Sequence, residues 1–196
     1  MDPLFLAELN ERLFVHFIAG RWMAPLSDRL AEVLAFDSGR MGRLACAGEA
    51  DVARALAGLR PGRAQGLEQA YTEAAPMLRR LRALEGFTDP VAAPVPAALP
   101  GQGPLVLLSA AAVPMADLAG LLIAGAARGL IWKPAPRAAA SAHLLMRALG
   151  PRAARGLALL QGDHASGALM AGQGALLWAS QAPCPFSLPA TDQPRR

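Results

Sequence analysis

"GLIWKPAPRAAASAHLLMRAL" (Gly129–Leu149) is the stretch that decides the fold. Gly129 to Trp132 read as a short apolar strand, Lys133-Pro134 closes it, and the alanine-rich run 138–149 reads as a helix. A strand with no polar alternation is covered on both faces, as strands of parallel sheets are. A lysine at the end of such a strand loses hydration and must reach something. Lys133 therefore has two readings. Its stem packs and its ammonium snorkels to water, or the ammonium contacts a ligand.

The same rhythm continues on both sides. "PLVLL" (104–108) reads as a strand and 114–128 as a helix. Beyond the quoted stretch, "GLALLQG" (156–162) reads as a strand, 165–172 as a short helix, and "ALLWAS" (175–180) as a strand. Apolar strands alternating with helices predict an α/β fold, a Rossmann-like parallel sheet with helices on both faces. Such sheets bind ligands at the carboxyl ends of their strands. Lys133, Gly162 and Ser180 stand at those ends.

The N-terminal part has a different pattern. Residues 4–15 fit a short amphipathic helix, with Leu6, Leu9 and Leu13 on one side. "FVHFIAGRW" reads as a strand ended by a turn at Gly20. Residues 31–36 and 42–47 read as a hairpin around "DSGRMG". Glu49 and Asp51 open a helix whose Val52, Ala55, Leu56 and Leu59 form one apolar face. A second helix covers about 64–86, with Pro76 kinking or restarting it. There Leu78, Leu81 and Leu84 face one way, and Arg79, Arg80 and Arg82 form a solvated face. Residues 87–103 hold four prolines and two glycines and read as a linker. The expected organisation is an N-terminal strand and helix layer (1–86), the linker (87–103), a Rossmann-like part (104–182), and a disordered tail (183–196).

Composition narrows the partners. The chain has 196 residues, 54% hydrophobic and 17% charged, with a net charge of +4. That suits a globular protein with a full core. The basic residues are scattered, and with one Tyr and three Trp there is little stacking surface. This argues against a nucleic-acid binder. The most apolar run, Leu118 to Ala127, is too short to span a bilayer, which argues against a membrane protein. Asp2, Glu8 and Glu11 leave no signal-peptide pattern. A cytoplasmic protein is expected. Cys46 and Cys184 have neither disulfide-framework nor metal spacing, and no metal site is expected.

From residue 17 to 180 the motifs resemble those of the aldehyde dehydrogenase superfamily. "FIAGRW" (17–22) is similar to the family's early strand and turn, and "FDSGRMGRLACAGEADVARAL" (36–56) to its hairpin and following helix. "APMLRRLRALE" (75–85) is similar to its next helix. "GPLVLLSAAAVPMADLAGLLIAGAARGLIWKP" (103–134) resembles the first strand, loop and helix of the nucleotide-binding domain, then the strand ending in "KP". "GLALLQGDHASGAL" (156–169) resembles the next strand with its glycine turn, and "LLWAS" (176–180) sits at its "FTGS"-like strand end.

The resemblance implies NAD or NADP as cofactor, with Lys133, Pro134, Arg137, Gly162, Gly167 and Ser180 as contact residues. The family lysine matched by Lys133 contacts the adenosine ribose. The acidic residue three positions on is replaced by Pro136, and Arg137 follows it. A carboxylate repels a 2′-phosphate and two cations attract one, so these residues lean towards NADP.

The family's catalytic groups have no convincing match. Its oxyanion asparagine falls on Ala112, which has no side-chain donor. Its glutamate base and cysteine nucleophile belong to segments beyond the strand matched by 176–180. The expectation is that the catalytic domain is missing. Cys184, in "SQAPCPF", is a weak candidate nucleophile between two prolines, with no base in evidence. Cys46 reads as a small core residue, His16 as a satisfied strand histidine, and His143 as a packing or surface residue. Asp163 and His164 are adjacent in sequence, and adjacent side chains diverge.

Three readings follow. One is an aldehyde-dehydrogenase-like remnant that binds a dinucleotide or is inactive. The second is a pseudoenzyme that associates with itself or acts as a regulatory subunit of a full-length aldehyde dehydrogenase. The third is a gene remnant without function.

Overall fold

The computed structural model describes residues 12–94 and 99–186. Strand β6 (Leu105–Ser109), helix α3 (Met115–Ala126), β7 (Leu130–Pro134), α4 (Ala139–Leu149), β8 (Leu157–Leu159), α5 (His164–Ala171) and β9 (Ala175–Ala179) alternate as the apolar runs predict. A single 3-10 turn, Pro136–Ala138, leads into α4. The four strands pair in parallel, in the order β8-β7-β6-β9. The chain moves outward from β6 through β7 to β8, then crosses back to lay β9 on the other side of β6. Ligands of open parallel sheets bind where the strand order reverses in this way.

The two crossover directions place helices on both faces. Leu105, Leu107, Leu130, Trp132, Leu157 and Leu159 pack against α3, α4 and α2 (Leu67–Leu84). On the opposite face, Val106, Leu108, Ile131 and Ala158 meet α5 and α1 (Glu49–Gly58). Both faces of β6 and β7 are therefore buried, which accounts for their lack of polar alternation.

The N-terminal segment serves two sheets. β2 (His16–Ile18) and β3 (Arg21–Met23) form a hairpin, and β2 joins β8 antiparallel at Phe17 and Leu159. Among the described residues the large sheet thus has six strands, in the order β3-β2-β8-β7-β6-β9. β4 (Leu30–Leu34) and β5 (Arg40–Ala45) form the expected hairpin in a second, three-stranded sheet.

Two expectations require correction. Leu13 and Phe14 are not helical. They form β1, pairing in parallel with Arg43 and Leu44, and Phe14 is buried. Residues 4–11 of the expected helix lie outside the described residues. The arginines of α2 are not one solvated face either, because Arg82 is fully buried. It sits at i+4 from buried Leu78, on the packed stripe of the helix. Its Nε donates to Asp89 at 3.1 Å and its Nη1 to the Ala111 carbonyl at 2.8 Å. Glu85 lies 3.5 Å from the guanidinium and accepts from the Ser141 hydroxyl at 2.6 Å. Asp89 also accepts from the Met115 amide at 2.8 Å, serving the start of α3. This buried network ties α2, the loop before α3 and α4 together. α2 itself runs unbroken through Pro76.

The described residues of 87–103 contain no helix or strand. Among the described residues, no helix is long and apolar enough to cross a membrane.

Candidate functional site

Lys133 is the fourth residue of β7. Its register partner on β6 is Leu108, and Trp178 of β9 is the next along the same row. Aligned residues on neighbouring strands project to the same side of the sheet. Lys133 therefore emerges on the α5 face, at the carboxyl end of the strands and at the reversal of strand order. A cleft of about 170 Å³ opens there. Leu108, Ser109, Lys133, Pro136, His164 and Trp178 are among its walls, and Pro185 and Phe186 cover one side.

The side chain of Lys133 is 7% exposed, and its ammonium makes no hydrogen bond among the described residues. Burial lowers its pKa to about 8, while the Asp163 carboxylate and the Cys46 thiol act in the opposite direction. At pH 7 the group still carries its charge. The site thus offers a partly desolvated cation facing a cleft, with no protein acceptor in hydrogen-bond contact among the described residues.

Around it, Asp163 caps α5 by accepting from the Ser166 amide at 3.0 Å and pairs with Arg29. Partial burial pushes its carboxyl up. The Ser166 amide, Arg29 and the Ser166 hydroxyl outweigh this and hold it below the usual carboxylate range. Gly162 is essential to this arrangement, since a side chain there would collide with Ser166. Gly167 leaves room for Phe186, whose Cζ would lie 2.9 Å from an added Cβ. His164 stacks on Phe186, with ring centroids 4.8 Å apart and planes 23° apart.

The remaining candidates separate. Pro134 ends β7, and Ser180 follows β9, where its hydroxyl accepts from the Ala182 amide at 3.0 Å. Arg137 does not line the Lys133 cleft. It donates to the Glu85 carbonyl at 3.2 Å and lies over the rings of Phe87 and Phe36, at 5.0 Å and 5.7 Å. Cys184 is half-buried, with Sγ 3.8 Å from the Phe186 carbonyl. Cys46 is buried in the core, and burial raises its thiol above its usual value. A neutral thiol of this kind is a poor nucleophile. His16 is buried. Its Nδ1 accepts from the Gln161 amide at 3.2 Å, and its Nε2 has no hydrogen-bond partner and faces Asp51 at 3.8 Å. His143 stacks on Trp22 at 4.0 Å. Among the described residues, no group of histidine, cysteine and carboxylate side chains is arranged to hold a metal.

Sequence reasoning missed the aromatic walls of the cleft. Trp178 was legible as a strand residue, and its register beside Lys133 follows once β9 is placed next to β6. Phe186 gives no local signal.

No family model and no curated protein matches the chain. Solved structures do match it. HpcC from Thermus thermophilus is similar with a TM-score of 0.57 and 20% identity, covering 86% of this chain and 43% of that one. The Δ-pyrroline-5-carboxylate dehydrogenase from Mycobacterium tuberculosis, bound with NAD and cobalamin, gives 0.61 and 17%, covering 86% and 42%. An NAD-dependent aldehyde dehydrogenase from Sinorhizobium meliloti gives 0.62 and 13%, covering 90% and 46%. The class defined is thus a Rossmann-like α/β fold of the aldehyde dehydrogenase kind. The chain has that fold and spans less than half the length of each of these structures.

Proposed function

We propose that this chain is an aldehyde-dehydrogenase-like protein of oxidoreductase type that binds a nicotinamide dinucleotide without oxidising aldehydes by itself. One observation carries the proposal: the largely buried Lys133 side chain, whose ammonium has no hydrogen-bond partner among the described residues, opens on a cleft at the reversal of strand order. A charged donor in the wall of a cleft favours an oxygen-rich ligand such as a ribose or phosphate. NAD is present in a solved neighbour of the same fold, the mycobacterial dehydrogenase. The residues present fit part of such a cofactor. Lys133 would donate to ribose oxygens, Ser109 and Pro136 would flank them, and Gly162 lets α5 approach closely. The cofactor would supply hydride acceptance.

The lean towards NADP rests on Arg137, which is engaged by Glu85, Phe36 and Phe87. We therefore favour no 2′-phosphate selectivity. The absence of turnover rests on the thiols and the loop. Cys46 is buried, Cys184 has no histidine or carboxylate in hydrogen-bond contact among the described residues, and Ala112 offers no oxyanion donor. Two unpaired cysteines are compatible with the reducing cytoplasm.

The test is calorimetric titration with NAD and NADP, together with an absorbance assay for nicotinamide reduction by short aliphatic and aromatic aldehydes. Binding without turnover is expected. Turnover that disappears in Cys184→Ala would overturn the inactive reading.

A second reading is favoured by β9, which is the last strand of the large sheet among the described residues and is half-exposed along its whole length. An open strand edge next to apolar side chains can be covered by another chain. This supports an interaction or regulatory subunit, for itself or for a full-length aldehyde dehydrogenase. Light scattering behind size exclusion tests self-association, and a strict monomer would count against the homo-oligomeric form.

A further inference from the structure

The segment that follows β9 does not run away from the sheet. It turns back across the carboxyl ends of the strands, and Pro185 and Phe186 become walls of the Lys133 cleft. The Phe186 ring lies face to face on His164 and edge-on to Trp178, at 6.3 Å and 86°. It rests over Gly167, where a side chain would stand 2.9 Å from its Cζ. An aromatic residue thus occupies the shelf that a planar ligand would use beside the lysine.

The fastening is slight. Trp178 Nε1 donates to the Ala182 carbonyl at 2.7 Å, and the Ala182 amide donates to the Ser180 hydroxyl at 3.0 Å. Among the described residues, no backbone hydrogen bond joins 183–186 to the sheets or helices. Among the described residues, the contacts of the Phe186 ring with His164, Trp178 and the apolar cluster beneath it hold the outer part. Pro183 and Pro185 restrict the backbone on either side of Cys184, which lowers the entropy lost when the segment lies down. With Phe186 in place the cleft holds about 170 Å³. That is below the roughly 300–1,000 Å³ of small-molecule sites.

We propose that residues 180–186 form a strap over the Lys133 cleft and that Phe186 must swing off His164 before a dinucleotide seats. The proposal rests on the dinucleotide reading above. Its consequence is an occlusion that lowers the apparent affinity by the fraction of molecules with the strap open. A stacked aromatic pair contributes about 0.5–1.5 kcal/mol, so closure is worth roughly two- to tenfold in affinity.

The experiment combines NAD titration by calorimetry with thiol labelling. Cys46 is 2% exposed, so a disulfide-exchange reagent reports on Cys184, inside the strap. For the wild-type protein, saturating NAD is expected to accelerate Cys184 labelling several-fold. Phe186→Ala is expected to bind NAD about two- to tenfold more tightly and to be labelled fast with or without NAD. If Phe186→Ala binds equally or more weakly while the wild type binds, Phe186 is a wall of the site and the strap is refuted, with the dinucleotide reading intact. Unchanged labelling of the wild type at saturating NAD refutes the strap in the same way. If neither protein binds NAD, the dinucleotide reading fails and the strap falls with it.

Discussion

Replacing Lys133 with methionine will stabilise the protein at neutral pH. In the folded chain burial lowers the lysine pKa from 10.5 to about 8. In the unfolded chain it returns to its ordinary value. Below pH 8 both states are charged, and the folded state carries the full cost of a buried ammonium. Between pH 8 and 10.5 the unfolded state binds more protons, so stability from this group rises with pH. At about 1.4 kcal/mol per pH unit, the cost below pH 8 is about 3 kcal/mol. Methionine keeps a similar length and removes the charge. Lys133→Met should therefore gain up to about 3 kcal/mol at pH 7, equivalent to roughly 6–12 °C in a chain of this size. By about pH 10 the advantage should shrink to about 1 kcal/mol or less. Urea denaturation of both proteins at the two pH values measures it. A variant less stable than wild type at pH 7, or a gain that does not change with pH, would refute the assignment of Lys133 as a cation destabilised by burial.

Three further outcomes concern other parts of the molecule. Arg82→Met leaves Glu85 and Asp89 without their cation in a dry setting, and should cost about 3–5 kcal/mol in urea denaturation. Burial lowers the His16 pKa to about 4. The unfolded state therefore takes up the extra proton between about pH 6.5 and 4, and stability should fall by about 3 kcal/mol across that window, with much of the fall absent in His16→Gln. Gly162→Ala forces a methyl group into Ser166 and should cost about 1–3 kcal/mol, read as a lower thermal midpoint.

The parallel half of the fold is legible because its signals are strong and local. β6, β7 and β9 are five-residue strands built on apolar runs, each separated from the next by helical segments. Leu13 illustrates the opposite case. Its spacing from Leu6 and Leu9 fits a helix, yet Leu13 and Phe14 gain a parallel partner in Arg43 and Leu44, a tertiary contact that local spacing does not contain. Arg82 was partly legible. Leu78, Arg82 and Glu85 follow the helical stripe, and the carboxylates at 85 and 89 are the partners a buried arginine needs. The neighbouring Arg79 and Arg80 obscured it. Lys133 stood out in the sequence, since a cation that ends an apolar strand must either snorkel to water or meet a ligand. Arg137 did not separate from it on spacing alone, because the 3-10 turn after β7 sends the two cations to different sides. Phe186 was hidden because its contacts depend on where the chain turns after β9.

The central claim is that Lys133 holds a nicotinamide dinucleotide. The most direct test is the dissociation constant of NAD at pH 7 for wild type and Lys133→Met, from the same calorimetric titration. Loss of a charge-assisted donor should weaken binding by about ten- to a hundredfold in the variant, although that variant is the more stable protein. Equal affinity of the two proteins, or no binding to the wild type, would contradict the account.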